Sequence, residues 1–203
     1  MIGNTASWNI DTTRVYVTGL SAGAAMSVIL GATYPDVYAA IGEESGLEYG
    51  AATSSANNAN ARLVGGPDPT TQGQAAYAAM GPRARVVPVI VFHGTDDGLV
   101  SPINGDQVVE QWMETDHLAS NNTYNASFAS PSSTTVDHVA GLQGHPYAVR
   151  RWNDTAGVEV QEYWTIVGMG HAWSGGSYAG TFADPNGPSA SQMMYAFFMA
   201  HPH

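Results

Sequence analysis

Apolar and polar positions along the chain fall into two kinds of run: short β-branched stretches that read as strands and longer amphipathic or small-residue stretches that read as helices. "RVYVTG", from Arg14, passes at once into Ser21 and a small-residue helical stretch, Ala22 to Thr33, that stops before Pro35. That is strand, tight turn, helix. A second apolar run, Val37 to Ile41, ends in polar and glycine residues and predicts a second strand. "VVPVIVFHGTDDGLV" contains the least ambiguous strand: its unbroken run from Val86 to Phe92 implies burial on both faces, as in a parallel sheet covered by helices.

Between these, residues 47 to 85 shift to Ala, Asn, Ser, Gly and Pro, an excursion over the sheet with one short helix near Gln74 to Met80. Asn104 to Leu118 predicts a helix with Val108, Val109, Trp112 and Met113 near one side, and Ala119 to Gly144 reads as polar and turn-rich. "YAVRRWND" and "GVEVQEYWTIVG" alternate as strands, the second leading into "MGHAWSGG". A last helix is predicted over Ala190 to Ala200, with Met193, Met194, Phe197 and Phe198 spaced for core packing. No internal repeat is found. Strands alternating with helices predict an α/β fold with a mostly parallel sheet, in a single domain over residues 1–203, its reactive groups at the carboxyl ends of the strands.

Composition narrows the function. A chain of 203 residues with 44% hydrophobic content suits one globular core, and a formal charge of −11 disfavours nucleic acid phosphates and anionic lipid as partners. With no cysteine there is no disulfide framework, and the redox compartment is unreadable. No apolar run is long enough for a membrane span, and "MIGNTASWNID" lacks the basic start and apolar stretch of a signal peptide.

Chemistry gathers in three loops. Gly19-Leu20-Ser21-Ala22-Gly23 fits a nucleophile elbow, in which small residues two positions either side of a strained serine let strand and helix pack closely. Alone, the motif is a weak signal in a glycine- and serine-rich chain. Its position at a strand-to-helix junction strengthens it. A serine hydroxyl needs a base and a group that orients the base, in the order Ser, Asp, His for this motif. Asp96 and Asp97 follow the strongest strand and His171 follows the last. Asp97 is favoured because Asp96 sits closer to the tight His93-Gly94 turn, where it would hydrogen-bond local backbone.

Other residues take plainer readings. His93 is expected to be a structural hydrogen-bonder, His117, His138 and His145 to be exposed, and His201 and His203 to lie in a frayed tail. Asp116-His117 and Asp137-His138 lack a third ligand at a recognisable spacing, so no metal site is expected. Adjacent Glu43 and Glu44 read as carboxylates on a solvated loop. Trp173 reads as either core or the wall of an apolar ester pocket.

The segments "RVYVTGLSAGAAMS", "PVIVFHGTDDGLVSPINGDQVVEQW", "GMGHAWSGG" and "DPNGPSASQMMYAFFMAHP" resemble the esterase family of polyhydroxybutyrate depolymerases and the related feruloyl and acetylxylan esterases, which are α/β-hydrolases. The resemblance covers nearly the whole chain. It implies Ser21 as nucleophile, Asp97 as acid and His171 as base, and its His-Gly-x-x-Asp-x-x-Val pattern matches His93, Gly94, Asp97 and Val100. It implies hydrolysis of a short acyl, aryl or polyester-type ester through an acyl-enzyme, with Ala22 N–H as an oxyanion donor and no cofactor. It implies secretion as well, although no signal peptide is read.

Members of that family carry several strands and helices before the elbow, whereas about a dozen residues precede the strand here, so the fold is expected to be an N-terminally truncated α/β-hydrolase. The second oxyanion donor normally comes from such an earlier segment, and loss of one donor lowers turnover ~100- to 1000-fold. Residues 14 to 18 would then form an exposed edge that pairs with a copy of the chain or with a strand-supplying partner. Two functions follow: a serine ester hydrolase, or a catalytically weak hydrolase fragment that works as a binding or interaction module.

Overall fold

The computed structural model describes residues 9–203, so most of the segment searched for a leader lies outside the described residues. The chain runs β1 (Tyr16–Leu20), α1 (Ala22–Thr33), β2 (Ala40–Glu44), α2 (Ser55–Val64), α3 (Pro69–Met80), β3 (Val89–Gly94), α4 (Ile103–Ala119), β4 (Ser133–His138), β5 (Pro146–Asn153), β6 (Glu159–Ile166), β7 (Trp173–Ser174), β8 (Ala183–Asp184) and α5 (Ala190–Ala200). Six strands form one sheet in the order β1-β2-β3-β6-β5-β4. The first four are mutually parallel, β5 pairs antiparallel with β6, and β4 pairs antiparallel with β5 at the sheet edge. This is the α/β, mostly parallel sheet flanked by helices that the alternation of runs predicts.

The core explains the unbroken apolar run in β3. Val89 and Val91 face one layer, with Val28 of α1, Met80 of α3 and Trp112 of α4, while Ile90 and Phe92 face the other, with Met194, Phe197 and Phe198 of α5. A strand covered on both sides has no polar face to alternate with. The strand begins three residues later than expected because Pro88 precedes it and cannot donate to the ladder, although its carbonyl accepts from Ile41 N at 3.0 Å.

Several boundaries differ from the sequence reading. Val37 and Tyr38 belong to a turn whose N–H groups bond to the Tyr34 carbonyl at 3.0 and 3.2 Å, and β2 runs instead through Glu43 and Glu44. The Arg85 guanidinium holds that entry by donating to the Tyr38 and Ala39 carbonyls at 2.8 and 2.7 Å. The excursion holds two helices where one was expected. Ser54 caps α2 by accepting from Asn57 N at 3.2 Å, and Asp68 caps α3 by accepting from Thr71 N at 2.8 Å with Pro69 at the first helical position. β4 lies inside the segment read as turns: it is exposed along its whole length, so no buried face leaves a period of two.

The C-terminus is not frayed. His201 is buried, with Nδ1 2.7 Å from the Phe197 carbonyl and Nε2 2.6 Å from the Glu159 carbonyl, and His203 N donates to Thr13 O at 2.8 Å. No helix among the described residues is long and apolar enough to cross a membrane.

Candidate active site

Parallel strands end together, and the register places the ends of β1, β2, β3 and β6 side by side: Leu20 opposite Glu44, Glu44 opposite Phe92, Gly94 opposite Ile166. The ladder continues one residue past each end, through Ser21 N to Glu44 O at 2.9 Å, Ser45 N to Phe92 O at 3.0 Å and Thr95 N to Ile166 O at 2.9 Å. At the first of these ends sits Ser21, with φ 59° and ψ −119°. Such a backbone is strained for any residue with a Cβ and aims its side chain off the end of the strand. Gly19 makes the turn feasible: a Cβ there would strike the Gly23 carbonyl carbon and lie 2.5 Å from its oxygen. Gly23 differs from the reading given to it above. A Cβ on Gly23 would meet nothing within 4 Å, so what the turn requires of this residue is its backbone, which crosses directly over Gly19.

The loops after β3 and β6 are stitched together. Asp96 N donates to Met169 O at 3.0 Å and Gly168 N to Thr95 Oγ1 at 2.9 Å, and a Cβ on Gly94 would collide with the Met169 carbonyl. This close approach brings His171 over Asp97, with Nδ1 2.8 Å from Oδ2. The other oxygen, Oδ1, accepts from Leu99 N at 2.9 Å and Val100 N at 2.8 Å. Burial by itself would raise the Asp97 carboxyl; the Val100 N–H, the His171 ring and the Leu99 N–H outweigh it and hold the group below the usual aspartate value. Asp96 is exposed and, among the described residues, its carboxylate accepts only from Thr95 Oγ1, at 3.2 Å. It is Asp97 that binds the local backbone, the reverse of the role split used above to separate the two acids.

His93 is buried, with Nε2 2.9 Å from the Val100 carbonyl and 3.6 Å from Asp97 Oδ2, and burial pulls its pKa down. It therefore braces the loop that carries Asp97. His145 is only partly exposed, held between Val167 O and Asp184 Oδ2 at 2.9 Å each, and His117 bonds to Tyr124 O at 2.7 Å; His138 is exposed. Among the described residues no group of three His, Cys, Asp or Glu side chains could hold a metal ion.

Glu43 and Glu44 overturn the solvated-loop expectation. Both are 0% exposed at the end of β2. Glu43 accepts from Gly46 N, and burial, opposed by that bond and reinforced by the nearby Asp97, pushes its carboxyl up to about 8. Burial raises Glu44 well above the ordinary value too, while its Oε1 accepts from Ser174 N at 2.6 Å. Glu44 thus joins the elbow, through its main-chain carbonyl to Ser21 N, to the loop just past His171, through its side chain. The only sequence signal for this was the pair's place directly after an apolar strand.

A cleft of about 320 Å³ opens beside the elbow, lined by Ser21, Ala22, Met26, Leu47, Arg62 and Val100 among others. Ala22 is the first residue of α1, so its N–H has no carbonyl a turn earlier in the helix to bond to. Trp173 does not line this cleft. It packs against the α5 side of the core and donates from Nε1 to Ser191 Oγ at 3.0 Å. The aromatic ring that meets His171 is Phe182, edge-on at 6.0 Å between centroids, from the strained position φ 54°. The sequence reading missed it because ten residues of a glycine-rich loop separate the two. Among the described residues, Asp97 is the side chain to which His171 is hydrogen-bonded, and no bond joins it to Ser21.

A family profile described as Esterase PHB depolymerase matches residues 3–134. The chain belongs to this esterase family. Poly(3-hydroxyalkanoate) depolymerase C of Paucimonas lemoignei is 34% identical over 193 residues, 92% of this chain and 40% of that protein. Feruloyl esterase B of Talaromyces stipitatus is 34% identical over 116 residues, 53% of this chain and 32% of that protein. The solved acetyl xylan esterase from Aspergillus awamori superposes with a TM-score of 0.64 at 23% identity, covering 82% of this chain and 57% of its own. The chain thus spans well under half the length of these two curated relatives.

Proposed function

We propose that this PHB depolymerase family chain is a serine carboxylic ester hydrolase acting on short acyl, aryl or polyester-type esters, such as hydroxyalkanoate, feruloyl or acetyl esters. The observation that carries the reading is the His171 Nδ1 to Asp97 Oδ2 bond of 2.8 Å, at the same carboxyl edge of the sheet as the strained Ser21. Asp97 fixes the ring with its proton on Nδ1, which leaves Nε2 free to act as a base. Ser21 Oγ attacks the ester carbonyl as Nε2 takes its proton, and the Ala22 N–H and the α1 N-terminus favour the developing oxyanion. The imidazolium returns the proton to the departing alkoxide. Water, deprotonated by the same nitrogen, then cleaves the acyl-serine. No step calls for a cofactor.

Replacing Ser21 by Ala tests this: turnover of 4-nitrophenyl butyrate is expected to vanish while the thermal midpoint stays within a few degrees, and surviving turnover would refute the role of Ser21. The lack of a hydrogen bond between Ser21 and His171 favours one second reading, a catalytically weak module that binds rather than cleaves. A fluorophosphonate probe separates the two. Stoichiometric labelling at Ser21 is expected of the hydrolase, and none of the module.

A further inference from the structure

The chain contains no lysine, and its six cations are all arginines. Five have evident partners. Arg14 pairs with Asp11 at 3.4 Å, Arg83 with Asp36 at 3.1 Å, Arg150 with Asp106 at 3.6 Å, and Arg151 with Glu162 at 2.9 Å. Arg85 donates to four backbone carbonyls. Arg62 differs. Among the described residues it makes no ion pair, its Nε is buried with no hydrogen-bond partner, and it lines the cleft that holds Ser21 and Ala22.

Its backbone is tied down where its side chain is not. The Arg62 carbonyl accepts from Asn104 Nδ2 at 3.0 Å and from Ser101 N at 2.7 Å, which locks the last turn of α2 against the start of α4. One turn earlier on the same helix, Asn58 lines the same cleft, and residues four apart share a helix face. Met26, Leu47 and Val100 give the wall an apolar part, and Ser21 and Ser45 add hydroxyls. An unpaired guanidinium on a cleft that no carboxylate lines is an unusual placement in a chain of net charge −11, which has a surplus of carboxylates to offer it. A guanidinium fork matches a carboxylate in two parallel hydrogen bonds, and the apolar part of the wall strengthens them.

We propose that Arg62, assisted by Asn58, makes this cleft a subsite for esters that carry a free carboxylate on the part seated there, such as an ester of a hydroxy acid or a half-ester of a dicarboxylic acid. This rests on the ester hydrolase reading for the reaction, and on the cleft alone for the binding. Long-range attraction is unavailable, since the molecule as a whole repels anions. Selectivity must therefore come from the short-range pair, and Arg62 acts as a specificity-determining residue.

The test compares kcat/KM for the 4-nitrophenyl half-esters of succinate, glutarate and adipate with that for 4-nitrophenyl butyrate, in the unmodified chain, Arg62→Gln and Arg62→Lys. The ratio of the best half-ester to butyrate is expected to fall about ten- to a hundred-fold in Arg62→Gln and to recover in part in Arg62→Lys. A ratio that Arg62→Gln leaves unchanged for all three lengths overturns the proposal. Binding is read separately by calorimetry on the Ser21→Ala chain, with glutarate against its uncharged isostere glutaramide. Preference for glutarate supports the subsite even if no ester is turned over, and equal or absent binding of the two, in a protein that still hydrolyses butyrate when Ser21 is present, overturns the subsite and leaves the hydrolase reading standing.

Discussion

Asp97→Asn separates the roles of the two oxygens of Asp97, because the structure dictates how the new amide must sit. Oδ1 of Asp97 accepts two backbone N–H groups, from Leu99 and Val100, at 2.9 and 2.8 Å. An asparagine that kept its carbonyl oxygen there would satisfy both donors and would turn its NH2 toward His171 Nδ1. The flipped amide would set NH2 against two N–H donors and leave the buried Val100 N–H unsatisfied at about 1–3 kcal/mol, so the first orientation wins. With an N–H now facing it, Nδ1 must become the acceptor, and the ring proton moves to Nε2, the nitrogen that has to take the serine proton. Wrong-tautomer substitutions of this kind lower kcat by ~10⁴, about 5 kcal/mol in the barrier. The loop keeps its backbone bonds, so the thermal midpoint should move little. The assay is kcat for 4-nitrophenyl butyrate with Asp96→Asn as the paired control, since Asp96 is exposed and lies next in sequence. A loss smaller than about tenfold in Asp97→Asn, or an equal loss in Asp96→Asn, would refute the reasoning.

Gly19→Ala forces a Cβ into the Gly23 backbone, which cannot swing aside as a side chain could, and should lower stability by about 1–3 kcal/mol in urea denaturation, whereas Gly23→Ala, which meets open space, should change it far less. The carboxyls of Glu43 and Glu48 are both pushed up to about 8, mainly by burial. Between roughly pH 4.5 and 8 the folded state then holds protons that the unfolded chain has released, so stability falls as pH rises through that window. Glu43→Gln should reduce that slope by at most about 1.4 kcal/mol per pH unit, and urea midpoints from pH 5 to 8.5 that keep the original slope would contradict the protonated state. β1 pairs with a strand on one side only among the described residues, and we expect the chain to associate through this edge; light scattering that finds a stable monomer at micromolar concentration would exclude it.

The sequence by itself determined what depends on neighbouring residues. β3 was legible because burial on both faces writes an unbroken apolar run, and α5 because one apolar stripe at helical spacing suffices to seat it. The elbow was legible because a strained serine between strand and helix needs a glycine two positions before it, and Gly19 shows why in the contact it avoids. Ser21, Asp97 and His171 could be nominated from their order after successive strands.

Tertiary structure decided the rest, because it depends on which strand ends become neighbours. Glu43 and Glu44 look like any acidic turn until β1 and β3 close on either side of β2 and remove their water. The sequence favours Asp97 over Asp96 by the family pattern and by a turn argument whose backbone role falls to Asp97 instead; the approach of Met169 to Gly94 is what brings His171 to Asp97. β4 carries no periodic signal because nothing covers either of its faces, and sequence leaves Trp173 open between core and pocket wall until the fold turns it toward α5. Arg62 was silent for the same reason. A lone arginine on a polar helix gains meaning only when the fold sets it, unpaired, in the cleft beside Ser21.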